Sequence, residues 1–412
     1  MDANGNKTIN PEIKASLLSR YFQSQFTNDN QILPGMQPCS AAITGLSSII
    51  FTPSLVSGII RKLNARSAGG PDGVPPSFFK KACMSLNHPL AFLFQLFLDE
   101  GFVPNIWRRA YITSIFKKGD SALPSNYRPI SLTCCICKIM ESIIKDQLVS
   151  YLHSKGLISK QQHAFIKKHS TVTNLLECTH DWAVSLHGGV DVDVVYVDFS
   201  RAFDSVVHSK LIYKLTKYGI SGSLLKWINA FLTDRYQCVI IEHSFSEWSP
   251  VISGVPQGSV LGPILFIMYI DDIFAVFIDS TVSHQLFADD LKLFSTVKTS
   301  ANAASLQSAL VRLEQWCADW QLTINIKKCF ILHLGKTNRQ LQYTLNGCCI
   351  EIAQNVTDLG VEIDCNLKYD TLINNIISKA YARVYRCSLQ GLRFAYSTYT
   401  KASIYNVHMT SS

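Results

Sequence analysis

Two boxes of the form aromatic-x-Asp-Asp stand close together in the chain, Tyr269-Ile270-Asp271-Asp272 and Phe287-Ala288-Asp289-Asp290. Paired carboxylates can hold divalent cations, and one metal site needs only one such box, so the two compete for the role. A further acidic candidate lies upstream in "DVDVVYVDFSRAFDSV". There Val192, Val194, Tyr196 and Asp198 share one face at period two, so Asp198 emerges where a strand ends and the chain turns. α/β sheets put their reactive groups at such ends, although a lone Asp there also serves as a helix cap.

The elements that carry the two boxes differ. In "SHQLFADDLKLFS", residues 284–287 and 292–294 are short β-prone runs separated by Ala288-Asp289-Asp290-Leu291. This predicts a hairpin with the acids at its turn, a rigid support for a carboxylate. In "VLGPILFIMYI", by contrast, Leu261, Ile264, Leu265, Met268 and Tyr269 recur at helical spacing, so Asp271 and Asp272 end a buried helix. Two metals about 3.5–4 Å apart need carboxylates converging from separate rigid elements. A strand end and a hairpin tip meet that need, which assigns Asp198, Asp289 and Asp290 to a site and Asp271 and Asp272 to structure.

A chain of 412 residues with 47% hydrophobic and 17% charged residues has material for more than one core. Residues 1–14 are polar with no apolar signal run, and the longest apolar run, 260–270, falls short of a membrane span. The expectation is an intracellular protein, nuclear or cytoplasmic, that does not engage a membrane. The 13 cysteines lack metal-ligand spacing beyond Cys134 and Cys137, and are expected as free core thiols. The net charge of +8 is local: residues 105–170 hold eleven Lys or Arg against three acids, which equals the whole surplus. A basic face is often only solvated, but this concentration beside loops favours a partner rich in phosphate.

Four zones follow from composition and periodicity. Residues 1–52 read as a connector, with a helix over 13–26 and a Pro/Gly/Ser-rich linker over 33–48. Residues 53–185 read as mostly helical, with helices over 54–64, 89–100, 138–153 and 171–186 around an extended basic segment at 111–118. Residues 186–335 alternate strands and helices. Residues 336–412 hold a turn at Leu345-Asn346-Gly347, a strand over 358–364 and a helix with Ile373, Ile376, Ile377, Ala380 and Val384 on one face.

The motifs "IFKKGD", "NYRPISL", "VDFSRAFDSV", "SGVPQGSVLGPILF", "LFADDLKLF", "WCADWQLTINIKKC" and "LHLG" occur in the order found in reverse transcriptases of non-LTR retrotransposons. Over residues 50–390 the chain resembles that family, most closely its Jockey and LINE-like members. The resemblance implies an α+β right-hand polymerase fold, with fingers over 53–185, palm over 186–335, the palm end and a truncated thumb over 336–412, and a reverse transcriptase domain over about 98–367. It implies an RNA-directed DNA polymerase that adds dNTPs to a DNA or RNA primer on an RNA template with two Mg2+ ions, Mn2+ being a possible substitute. Asp198 and Asp289 match the metal-binding aspartates, the Phe199 carbonyl would complete the site, and Asp290 is their neighbour. Phe203 matches the residue that excludes a 2′-hydroxyl, or else packs under the turn. Lys117, Lys118 and Arg128 match the triphosphate-binding segment, in which guanidinium binds phosphate bidentately and ammonium acts as a point charge. Gln257, framed by glycines, faces nucleotide or template, and Lys328 matches a residue that assists pyrophosphate departure. The family's "YINDL" follows the Pro-Gln-Gly helix, where this chain has Tyr269-Ile270-Asp271-Asp272-Ile273.

Two departures qualify these expectations. Where relatives have Q-x-G-F-x-x-G-x-S-T, residues 162–171 lose both glycines and gain charge, which predicts an altered template loop. With no endonuclease region before residue 50, no Cys/His knuckle and an early end, the chain reads as a fragment or decayed copy. The competing expectation is therefore a catalytically silent remnant that binds nucleic acid.

Overall fold

Local capping chemistry sets where the first helices begin. In the computed structural model, which describes residues 9–36, 45–277 and 281–385, Asn10 accepts from the N–H groups of Glu12 and Ile13 and so opens α1 (Pro11–Gln23). Part of the 33–48 linker and the chain end from residue 386 lie outside the described residues. Thr52 caps α2 (Pro53–Lys62), followed by α3 (Pro76–Lys81) and α4 (Cys83–Glu100). The last begins a turn and a half before the expected Pro89, because Cys83 and Asn87 already pack inward. It ends at Gly101, whose φ of +66 suits a residue without a Cβ.

The basic segment is a hairpin of β1 (Arg109–Phe116) and β2 (Tyr127–Leu132), closed by the pair Phe116 and Tyr127 so that Lys117 and Lys118 enter its connecting loop. Then come α5 (Cys135–Lys155), α6 (Thr171–His187) with a Ser170–Thr173 capping box, and β3 (Val192–Val197), buried on both faces. After α7 (His208–Lys217) and α8 (Gly222–Leu232) the chain forms β4 (Arg235–Ile241), β5 (Ser244–Phe245) and β6 (Ser249–Val251). These strands pair with one another, and β4 runs parallel to β1, giving a first sheet β2-β1-β4-β5 with β6 on β4. Residues 235–251, read from sequence as part of the third zone, thus join the sheet of the second. The cause is register: Arg109 to Thr113 line up with Tyr236 to Ile240, a long-range pairing that no local pattern reveals.

The second sheet, β12-β9-β3-β8-β7, draws on α9 (Gly262–Ile270), β7 (Ser283–Phe287), β8 (Asp290–Thr296), α10 (Ser300–Trp320) and β9 (Phe330–Leu334) for its strands and cover. Past the hairpin β10 (Thr344–Leu345) and β11 (Cys348–Cys349), β12 (Glu351–Ala353) adds to its edge, and β13 (Asn355–Asp358) pairs with β14 (Val361–Asp364). The architecture is mixed α and β, and one large core cluster runs from α2 to β9. The segment expected as a connector packs too: Ala15, Leu18 and Phe22 of α1 meet Ile112 and Val239 of the first sheet. No described helix is long and apolar enough to cross a membrane. The eleven described cysteines are free, eight of them buried, and Cys134 donates weakly to the Ile106 carbonyl.

The box Tyr269–Asp272 is built into this core. Both carboxylate oxygens of Asp271 accept from the Ser159 N–H, at 3.1 and 3.2 Å. Asp272 pairs with the fully buried Lys214 at 2.5 Å, and Lys214 also donates to the Tyr269 carbonyl and lies 3.5 Å from the Trp320 ring centre. The two acids differ in consequence, since removing Asp272 strands a buried ammonium, whereas for Asp271 burial outweighs what its charge gains from the Ser159 N–H and from Lys214. Burial pushes the Asp271 carboxyl from 3.8 up to about 7. A folded-state value above the unfolded one means that charging the group destabilises the fold, and the loss accumulates as pH rises from about 4 to about 7. Asp271→Asn is expected to melt above the parent at pH 8, with the gap closing toward pH 4. Thermal melts across pH read this out, and a pH-independent gap would contradict it.

Candidate active site

The antiparallel pairing of β3 with β8 runs from Val192 opposite Thr296 to Val197 opposite Leu291. The next residue of β3's path is Asp198, and the β7-β8 hairpin closes beside it with Phe287 paired to Asp290 and Ala288-Asp289 as its loop. Asp198 and Asp289 therefore reach one place from separate elements. Ala288 holds φ at +58, a left-handed conformation unusual for a residue with a Cβ. On the other side of β3, Asn325 N–H donates to the Asp198 carbonyl at 2.8 Å and Ser200 N–H to the Thr323 carbonyl at 2.7 Å. These bonds flank Phe199, so its own carbonyl takes no part in the pairing.

The carboxylates open onto a cleft of about 770 Å³. Its walls include Lys117, Arg128, Phe199, Phe203, Gln257 and Lys328, together with all three acids. Lys328 lies 3.4 Å from Asp198. Lys118, expected beside Lys117, is exposed in the hairpin loop and is not among the cleft-lining residues. Phe203 stacks on Phe266 of α9 at 4.1 Å with rings 16° apart and also borders the cleft. Gln257 Nε2 donates to Asp204 at 2.9 Å, and the Gln257 backbone carbonyl accepts from Ser131 N–H of β2 at 2.6 Å. Gly258 permits that approach: a Cβ there would sit 2.6 Å from the Ser131 carbonyl oxygen, and φ is +107.

Like charges crowd this cleft. Burial, then the negative charge of Asp198, raises the Asp289 carboxyl. Asp290 is exposed above the cleft, yet the walls around its carboxyl, then Asp289 and Asp198, push it up to about 6. The Lys117 ammonium is lowered by burial and then by Arg128, Arg201 and Lys328. Among the described residues no group of three or more His, Cys, Asp or Glu gathers as a metal cluster. The donors present still suit a hard divalent cation that completes its shell with phosphate and water: two carboxylates, a carbonyl outside the strand pairing, and an Asp198 Oδ2 that accepts no hydrogen bond and faces only the Lys328 ammonium at 3.4 Å.

Sequence patterning did not find what supports the hairpin. Gln162 is fully buried, and its Oε1 accepts from the N–H groups of Ala288 at 3.0 Å and Ala164 at 2.9 Å. Its neighbours join β7 as an extra edge, with Leu286 N–H donating to the Gln161 carbonyl and His163 N–H to the Leu286 carbonyl. Lys292, two residues past Asp290, is tied to Asn174 at 2.5 Å and Asp358 at 2.8 Å. Glu141 accepts from the Val260 and Leu261 N–H groups and so caps the start of α9. The one available signal was the Gln that opens the 162–171 motif. Of that motif's two missing glycines, position 168 is a left-handed one, where Lys168 holds φ at +71.

A strand-end carboxylate and a hairpin carboxylate thus face one cation-lined cleft. A family model for reverse transcriptase (RNA-dependent DNA polymerase) matches residues 115–363, and the chain belongs to that family. It is 29% identical over 341 residues to the RNA-directed DNA polymerase from mobile element jockey of Drosophila melanogaster, covering 81% of this chain and 37% of that protein. It is 27% and 26% identical to the probable RNA-directed DNA polymerases from transposon BS and transposon X-element of the same organism, with 79% and 81% of this chain matched. The chain spans about 37% of the length of these relatives.

Gln162→Leu keeps bulk but removes the acceptor for two buried N–H groups, each such loss being worth about 1–3 kcal/mol. Chemical denaturation should show a loss of about 2–4 kcal/mol, and the Ala288 amide should exchange hydrogen faster. An unchanged exchange rate at Ala288 would mean that the hairpin is held without Gln162.

Proposed function

We propose that this chain is the polymerase region of a non-LTR retrotransposon protein, extending a DNA or RNA primer with deoxynucleotides on an RNA template. The observation that carries the reading is the convergence of Asp198 and Asp289, from β3 and from the β7-β8 hairpin, on one cation-lined cleft. In this reading the second sheet is the palm, the first sheet with its helices the fingers, and residues 336–412 the palm end and a thumb.

Asp198, Asp289 and the Phe199 carbonyl would hold two Mg2+ ions, which Mn2+ can replace. When bound, these supply Lewis-acid activation of the primer 3′-hydroxyl and offset charge on the pyrophosphate. The protein's share is positioning and electrostatics. Arg128 grips triphosphate oxygens with a planar fork and Lys117 adds a point charge, while Lys118, exposed in the hairpin loop, is the weaker candidate of the two lysines. Gln257, oriented by Asp204, presents its remaining amide hydrogen to the nucleotide or template strand. Phe203, backed by Phe266, fills the volume a 2′-hydroxyl would need. Lys328, 3.4 Å from Asp198, would neutralise developing charge and supply a proton to the departing pyrophosphate. Asp290 adds negative field rather than a required ligand.

Primer extension on a primed RNA template with Mg2+ tests this. Asp198→Asn and Asp289→Asn should each reduce extension by about 10³-fold or more, whereas Asp271→Asn should leave it intact. A folded parent that binds the primed template and inserts nothing would leave only a nucleic-acid-binding remnant. Phe203→Val should raise ribonucleotide incorporation relative to deoxynucleotide by opening the space under the ring. An unchanged ratio at normal activity would reduce Phe203 to packing.

A further inference from the structure

Arg201 lies three residues past Asp198, in the turn by which the chain leaves β3, and neither the motif reading nor the acidic site gives it a role. It adopts φ of +51, which residues with a Cβ rarely take. The turn holds it there: its carbonyl accepts from the Asp204 N–H at 2.9 Å, the Ser205 N–H at 3.1 Å and the Ser205 hydroxyl at 3.1 Å. Observed backbone strain next to a reactive group is a reason to look for a function.

The side chain is also held. Its guanidinium donates to the Tyr21 hydroxyl at 2.8 Å and lies over the Tyr21 ring, 5.0 Å from the centroid. Tyr21 belongs to α1, which is anchored on the first sheet by Ala15, Leu18 and Phe22. Both residues border the cleft that contains Asp198 and Gln257. A guanidinium has five N–H donors, and no carboxylate forms an ion pair with Arg201 among the described residues. Its field reaches the Lys117 ammonium, which Arg128 and Lys328 also depress. Cations gathered against their mutual repulsion form a site for a polyanion.

We infer that Arg201, braced by Tyr21 of the N-terminal helix, is a binding residue for the triphosphate of the incoming nucleotide. The inference rests on the polymerase reading and deepens it. It makes α1 part of the nucleotide site, with the ring fixing the plane of the guanidinium so that its free edge meets phosphate oxygens bidentately.

The test measures binding of inorganic tripolyphosphate and of a dNTP to the 412-residue protein by calorimetry, alongside steady-state extension. Arg201→Ala should weaken both ligands about 10- to 100-fold and raise KM for dNTP more than it lowers kcat, with affinity for primed duplex unchanged. Arg201→Lys should recover part of the loss, because it keeps the charge without the fork. Tyr21→Phe keeps the ring and should weaken binding in the same direction by several-fold. If Arg201→Ala melts early, Arg201→Gln and Tyr21→Phe serve with parental melting as the control. The inference is overturned if folded variants bind tripolyphosphate like the parent, if the parent binds none, or if the loss appears only for duplex, which would put strand phosphates at Arg201. A parent that extends primers while Arg201→Ala keeps its KM sinks this inference alone. Tripolyphosphate binding lost in the variant of a parent that extends nothing would sink the polymerase reading and with it the assignment to an incoming nucleotide, leaving Arg201 a polyphosphate-binding residue.

Discussion

Two carboxylates that repel each other share one cleft because the register of the central strand leaves them no other place. Once Val197 pairs with Leu291, the next position of the strand path and the tip of the β7-β8 hairpin must be neighbours. Burial first, and then this repulsion, raises the Asp289 and Asp290 carboxyls. The fold tolerates it because rigid attachments surround the hairpin: Gln162 on the Ala288 N–H, Lys292 on Asn174 and Asp358, and the 161–163 segment along β7. In the proposed reaction that stored repulsion is the energy a pair of divalent ions would relieve, so support of the hairpin and affinity for metal are two aspects of one arrangement.

The box at residues 269–272 shows how surroundings decide the use of similar residues. Its acids follow a buried helix, and each is consumed by a local partner, Ser159 for Asp271 and Lys214 for Asp272. In the box at residues 287–290 the turn projects its acids away from the sheet, and the nearest charges are other carboxylates and the cations of the cleft.

Opposite charge is supplied from several parts of the chain. Lys117 and Arg128 come from the first sheet, Arg201 from the turn after β3, and Lys328 from the approach to β9. Their convergence depends on the parallel pairing of β1 with β4 and on the Ser131–Gln257 bond, which together hold the first sheet against the turn that follows β3. The N-terminal helix belongs to the same assembly through Tyr21.

Period-two and helical patterns in the sequence suffice to place Asp198 at a strand end, to put Asp289 in a hairpin turn and to bury the helix before Asp271, because each depends on the alternation of neighbouring side chains. The order of motifs is likewise a property of the chain alone, and it led to the family and to Lys117, Arg128, Phe203, Gln257 and Lys328. Tertiary structure decided the rest. Whether Lys117 or Lys118 borders the cleft depends on how a hairpin loop packs. The union of residues 235–251 with β1 is a pairing across more than a hundred residues. Gln162, Glu141 and Lys292 look like ordinary polar residues until burial brings a backbone N–H or a carboxylate to each. Tyr21 and Arg201 are 180 residues apart, and only the packing of α1 on the first sheet brings a phenol to a guanidinium. Local periodicity carries no information about contacts of that range, since they arise from burial and long-range register rather than from the preferences of adjacent residues.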